Sequence, residues 1–119
     1  MKDQDTTIAE IQQKLLRFNA DRHWGQYHSP RNLAMALSVE AGELLALYLW
    51  SRDSGPQPPV STRAPKVEDE AADVLICLLN FCAHSGIDLA AAVEKKMLKN
   101  AQKYPVDTVY GRMEKYDEL

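Results

Sequence analysis

Residues 33–50 read LAMALSVEAGELLALYLW, and Glu40 and Glu43 are the only charges among them. Leu33, Leu37, Glu40, Leu44 and Leu47 recur at helical spacing, so the stretch is a helix with a carboxylate in the middle of an apolar stripe. Apolar side chains occupy nearly every side of this helix, which predicts that it is buried. Residues 71–83, AADVLICLLNFCA, repeat the situation: Asp73 is their only charge, and Glu70 precedes it by one turn. A buried carboxylate must be paired, protonated or bound to a metal. The i, i+3 spacing puts both members of each pair on one helix face, roughly 5–6 Å apart at Cβ. Neither apolar stretch contains a lysine or arginine. If the two helices are antiparallel neighbours, Glu40, Glu43, Glu70 and Asp73 converge into a hard-oxygen site suited to Mg²⁺ or Mn²⁺. The competing arrangement is a set of structural ion pairs, with Arg31 or Arg63 reaching the glutamates from outside.

The same reading extends outward in both directions. Thr7 and Glu10 have capping-box spacing, and Ile8, Ile11, Leu15 and Phe18 continue as an apolar stripe, which predicts a helix over 7–20. Ser29 is a natural N-cap with Pro30 at the first helical position, so the central helix starts there and runs to about Trp50. Gly55, Pro56, Pro58, Pro59 and Pro65 mark residues 51–66 as a loop. A third helix is predicted over 67–84, with Glu68 and Asp69 in its first turn and Gly86 as a stop signal. A fourth opens at Asp88 and ends before Pro105, leaving a polar tail over 105–119. Four helices without a convincing strand predict a single all-α domain over 1–119, close to a four-helix bundle.

Composition narrows the chemistry. The chain has 119 residues, 45% of them hydrophobic, enough for one ordinary core. The net charge is -3 with scattered Lys and Arg, which disfavours a nucleic-acid polymer as partner. A small anion held through a metal suits this charge. Cys77 and Cys82 read as buried thiols in a reducing compartment. The first residues, MKDQDTTIAE, lack the apolar core of a signal peptide, and no charge-free stretch is long enough to span a bilayer. The expectation is therefore a cytoplasmic protein with no membrane partner. A di-iron bundle would need Glu-x-x-His, but Ala20, Gly25 and Phe81 stand three residues before His23, His28 and His84.

Lys96, Asn100 and Lys103 share one helical stripe with Tyr104 beside them, a set able to grip phosphate oxygens or to serve as a solvated basic face. Trp24, His28 and Trp50 lie at helix ends, where aromatic rings could stack on a nucleobase or simply pack. The near-total apolar character of residues 33–50 in so short a chain predicts a homodimer or homotetramer with a mostly helical contact.

The stretches FNADRHWGQYHSPRNLAMALSVEAGELLALYLW, EDEAADVLICLLNF, KKMLKNAQKYP and KYDEL together resemble the all-α NTP pyrophosphohydrolases of the MazG-like superfamily, and within it the dCTP pyrophosphatase group. The resemblance implies that Glu40, Glu43, Glu70 and Asp73 hold Mg²⁺, with Glu40 a candidate general base. It implies that Trp24, His28 and Trp50 form the base and sugar pocket, that Lys96, Asn100 and Tyr104 lie near the phosphates, and that pockets take residues from two subunits. The implied reaction is attack of water at the α-phosphorus of dCTP or a modified dCTP, with pyrophosphate leaving, in a house-cleaning role. Related activity on dUTP or another NTP, or a non-catalytic helical module, are the alternatives. The chain departs from the family's patterns at Val39, where MazG proper carries a glutamate, and at Leu15 and Cys77, where the vertebrate enzymes carry His and Tyr.

Overall fold

The computed structural model describes residues 1–50 and 60–119, with the side chains of 60–64 left out. Helix α1 spans Ile8–Asp21, α2 Pro30–Ala46, α3 Val60–Ser85, α4 Leu89–Lys103 and α5 Val106–Val109; single 3₁₀ turns cover Trp24–Tyr27 and Tyr116–Glu118. No strand occurs among the described residues, and the all-α expectation holds. The helix starts follow from their caps. The Thr7 hydroxyl accepts from the Glu10 N–H, Ser29 from Asn32 and the Asp88 carboxylate from Ala91, each satisfying an N–H that a helix start leaves open. Gly86, at φ +66°, takes the left-handed position that ends α3.

Two boundaries differ from expectation. The central helix stops at Ala46 rather than Trp50. Leu47, Tyr48 and Leu49 bond back to Leu44, Leu45 and Ala46, so the helix tightens into i→i+3 turns, and Trp50 closes it at φ +63°. Helix α3 starts at Val60, inside the stretch read as a loop, and contains Pro65. Proline removes its own N–H bond to the preceding turn and its ring crowds the carbonyl four residues back, and here both costs fall near the start of a 26-residue helix. The remainder of the expected loop, 51–59, lies outside the described residues.

The chain divides into two compact units, Met1–Gly86 and Ile87–Leu119. In the first, α2 packs chiefly on α3, and α1 also packs on α3. Glu43 lies by Glu70, Glu40 by Cys77 and His28 by His84, so α2 and α3 run antiparallel. Leu33, Leu79 and Cys82 are the buried apolar centre. In the second unit the tail folds onto the end of α4: the Tyr104 and Tyr116 rings meet edge-on at 6.3 Å, and Lys103 Nζ lies 4.7 Å from the Tyr116 ring centre. Among the described residues, no single helix is long and apolar enough to cross a membrane.

The expectation that the central helix is buried needs correction. Leu33 is buried and Leu37, Glu40, Leu44 and Leu47 are half-buried, so the predicted stripe is the one that faces inward. Met35, Val39, Leu45 and Leu49 on other sides are exposed in the single chain. One helix face packs against one neighbour, and a chain this small has too few elements to cover the rest.

Candidate active site

Helical spacing aims Glu40 and Glu43 from α2 at Glu70 and Asp73 from α3. One carboxylate oxygen from each of Glu40, Glu43 and Glu70 lies within 4.8 Å of the others. Asp73 is half-buried and stands outside that spacing, yet its charge acts on both Glu40 and Glu70. Burial pushes the Glu40 carboxyl from an ordinary 4.5 up to about 7, helped by a hydrogen bond with the Glu43 side chain and by the charges of Glu43, Asp73 and Glu70. Burial, then Glu43 and Asp73, raise Glu70 as well. The Cys77 thiol is pushed up by burial first and by Glu40 and Asp73 second.

Oε2 of Glu40 and Oε2 of Glu70 are sealed from solvent and have no hydrogen-bond partner. Such oxygens are costly unless something positive reaches them. No ion pair to the cluster occurs among the described residues, where Arg112–Glu114 is the one ion pair and Arg31 is exposed. The side chain of Arg63 lies outside the described residues. Hard carboxylate oxygens that converge with no cation beside them among the described residues fit a divalent hard metal.

In the same unit, α1, α3 and the connection after α1 border a cavity of about 500 Å³, the size of small-molecule sites. Its walls include Leu15 and Phe18 of α1, Trp24 and His28 of the connection, and Leu75 and Ile76 of α3. Trp24 packs edge-on against Phe18 at 5.7 Å, and the guanidinium carbon of Arg22 lies over the Phe18 ring, 3.6 Å from its centre. Nδ1 of His28 is buried without a partner, and its ring meets that of His84 edge-on at 5.7 Å. Burial and His84 hold the His28 imidazole below its ordinary value, so it is neutral at neutral pH.

The structure thus brings Trp24 and His28 together, but Trp50 does not line their cavity; it stands 93% exposed at the end of α2. Lys96, Asn100, Lys103 and Tyr104 lie on α4 and its C-cap in the second unit, and Lys103 covers the Tyr116 ring. Two residues that the sequence reading passed over also line the cavity: Asn19 and Asn80, joined at 3.0 Å from Asn19 Nδ2 to Asn80 Oδ1. Their signal was a neutral amide at an apolar position: Asn19 follows Ile11 and Leu15 at helical spacing, and Asn80 interrupts LICLLNFCA.

The model of the MazG-like family matches residues 35–119. Among curated relatives, dCTP pyrophosphatase 1 of Mus musculus is 41% identical over 118 residues, covering 97% of this chain and 69% of the relative. Its Homo sapiens counterpart is 38% identical over 117 residues, with the same coverage of 97% and 69%. A crystal structure of a pyrophosphatase from Archaeoglobus fulgidus superposes with a TM-score of 0.75 at 37% identity, covering 88% of this chain and 98% of that one.

Proposed function

The chain belongs to the MazG-like family, and from that premise we propose that it is a Mg²⁺-dependent hydrolase that cleaves a deoxycytidine triphosphate, or a base-modified form of it, to the monophosphate and pyrophosphate. Its curated relatives are named dCTP pyrophosphatase 1, and the archaeal structure is that of a pyrophosphatase. The observation that carries the metal and the reaction is the cluster itself: Glu40, Glu43 and Glu70 each bring a carboxylate oxygen within 4.8 Å of the others, and Glu40 and Glu70 each have an oxygen sealed from solvent without a partner.

Glu40, Glu43, Glu70 and Asp73 would hold the ion, which when bound neutralises triphosphate charge and orients the attacking water. Water adds to the α-phosphorus, the bond from that phosphorus to the bridging oxygen breaks, and pyrophosphate leaves with its electron pair. Glu40 takes the water's proton as the general base. Trp24 and His28 line the proposed base and sugar cavity; Lys96, Asn100, Lys103 and Tyr104, on the second unit, are donors able to take phosphate oxygens. Trp50, exposed and outside its own chain's cavity, supports a pocket completed by a second copy. The exposed Met35, Val39, Leu45 and Leu49 support a homodimer or homotetramer built on α2. We place the whole chain in one such enzyme domain, acting in the cytoplasm.

The test is a panel of ribo- and deoxynucleoside triphosphates with Mg²⁺, with Mn²⁺ and with chelator, scored by pyrophosphate release. dCTP or a modified dCTP should lead, and chelator should abolish turnover. Silence across the panel with either metal would refute the reading.

A further inference from the structure

An amide pair sits where a nucleobase would need to be read. Asn19 and Asn80 are each only 6% exposed, and both line the cavity that Trp24 and His28 help enclose. The pair uses one donor and one acceptor internally, Asn19 Nδ2 to Asn80 Oδ1 at 3.0 Å. Two amides carry more than that: the oxygen of Asn19 and the nitrogen of Asn80 have no hydrogen-bond partner among the described residues, and neither is among the polar atoms sealed from solvent. They therefore offer one acceptor and one donor, side by side, to the cavity. The other lining side chains with polar atoms are Lys14, Trp24 and His28. Seven residues along α3 separate Asn80 from Asp73, about 10 Å of helix rise. That is a span a nucleoside monophosphate covers with its α-phosphate at the carboxylates.

An adjacent donor and acceptor match the edge of a pyrimidine. Cytosine presents an amine beside an acceptor nitrogen; uracil presents an oxygen beside an N–H, the same pattern reversed. Turning both amides over by half a turn keeps their mutual bond, now from Asn80 to Asn19, and exchanges which residue offers the donor. A site with fixed polar groups rejects the reversed pattern because its own groups are left unpaired. A pair that inverts as a unit escapes that penalty.

We infer that Asn19 and Asn80 read the base edge and, by inverting together, admit both amino- and oxo-pyrimidine nucleotides. This rests on the nucleotide reading above and broadens it: cytosine and uracil forms are both ligands.

The test measures binding of dCMP, dUMP and base-free deoxyribose 5-phosphate by calorimetry with Mg²⁺, on the wild type and on Asn19→Leu/Asn80→Leu. Replacing both partners with apolar groups of similar shape leaves stability nearly unchanged, and Asn19→Ala/Asn80→Ala, which adds no volume, is read in the same way if the leucine pair fails to fold. The wild type should bind dCMP and dUMP within about tenfold of each other, and the double variant should lose about tenfold or more for both while binding the base-free phosphate as before. A wild type that separates the two nucleotides by more than about tenfold refutes the inversion. A folded double variant that keeps wild-type affinity for both refutes any contact with the base. Binding of this pattern without pyrophosphate release from any triphosphate would overturn the hydrolase reading and leave this one standing.

Discussion

Proton and metal compete for the same carboxylates, so metal affinity must depend on pH in a calculable way. With the Glu40 carboxyl at about 7, it is ionised in roughly nine-tenths of molecules at about pH 8 and one-tenth at about pH 6. Lowering the pH across that interval should therefore weaken Mg²⁺ binding by about tenfold, with about one proton displaced per ion at the lower pH. Glu70, raised for the same reasons, adds to the dependence. Calorimetric titration in two buffers of different ionisation heat reads both affinity and proton release. The metal-free protein should show the opposite trend in stability. Glu40 holds its proton more tightly folded than unfolded, so its contribution is complete below about 4.5 and is lost as pH rises through about 7. Mg²⁺, which binds the ionised form, should offset that loss above about pH 7. In Glu40→Gln the proton release should shrink and the metal-free melting temperature should flatten with pH. Equal Mg²⁺ affinity at both pH values, with no proton displaced, would refute the reasoning: the cluster would then already be ionised and neutralised by some other cation.

Asp73→Asn should leave metal-free stability equal or higher, because one of four crowded charges is gone. It should also remove most of the melting-temperature rise with Mg²⁺ and cut turnover by orders of magnitude; strong destabilisation without metal would instead mark a broken ion pair, at about 3–5 kcal/mol. Trp50→Ala should leave the folding midpoint in urea unchanged, since the side chain is 93% exposed, and should weaken nucleotide binding by about 1–3 kcal/mol if the ring stacks on a base. Val39→Glu should break the assembly on α2, moving light-scattering mass from a multiple of 13.4 kDa toward 13.4 kDa itself; a wild type that is already monomeric at micromolar concentration would refute the assembly.

What the sequence determined by itself is what a few neighbouring residues encode. Thr7, Ser29 and Asp88 start their helices because the N–H each one caps is only three residues away. The Glu40/Glu43 and Glu70/Asp73 pairs share a face because three residues nearly complete a helical turn. The stripe from Leu33 to Leu47 turned inward because it is the side on which α3 packs. Proline and helix-end signals were weaker guides: Pro65 did not hold α3 back, and Leu47–Trp50 left the helix without a glycine to announce it. Tertiary structure decided the rest. Antiparallel packing of α2 on α3 set Glu43 beside Glu70 and placed Asp73 just outside the closest cluster. It left Val39 and Leu45 exposed, a fact about how many neighbours a helix has and not about the helix. Packing of α1 on α3 joined Asn19 to Asn80 across 61 positions. No periodicity reaches that far; only two helices meeting at a fixed register turn two ordinary amides into one element of a site.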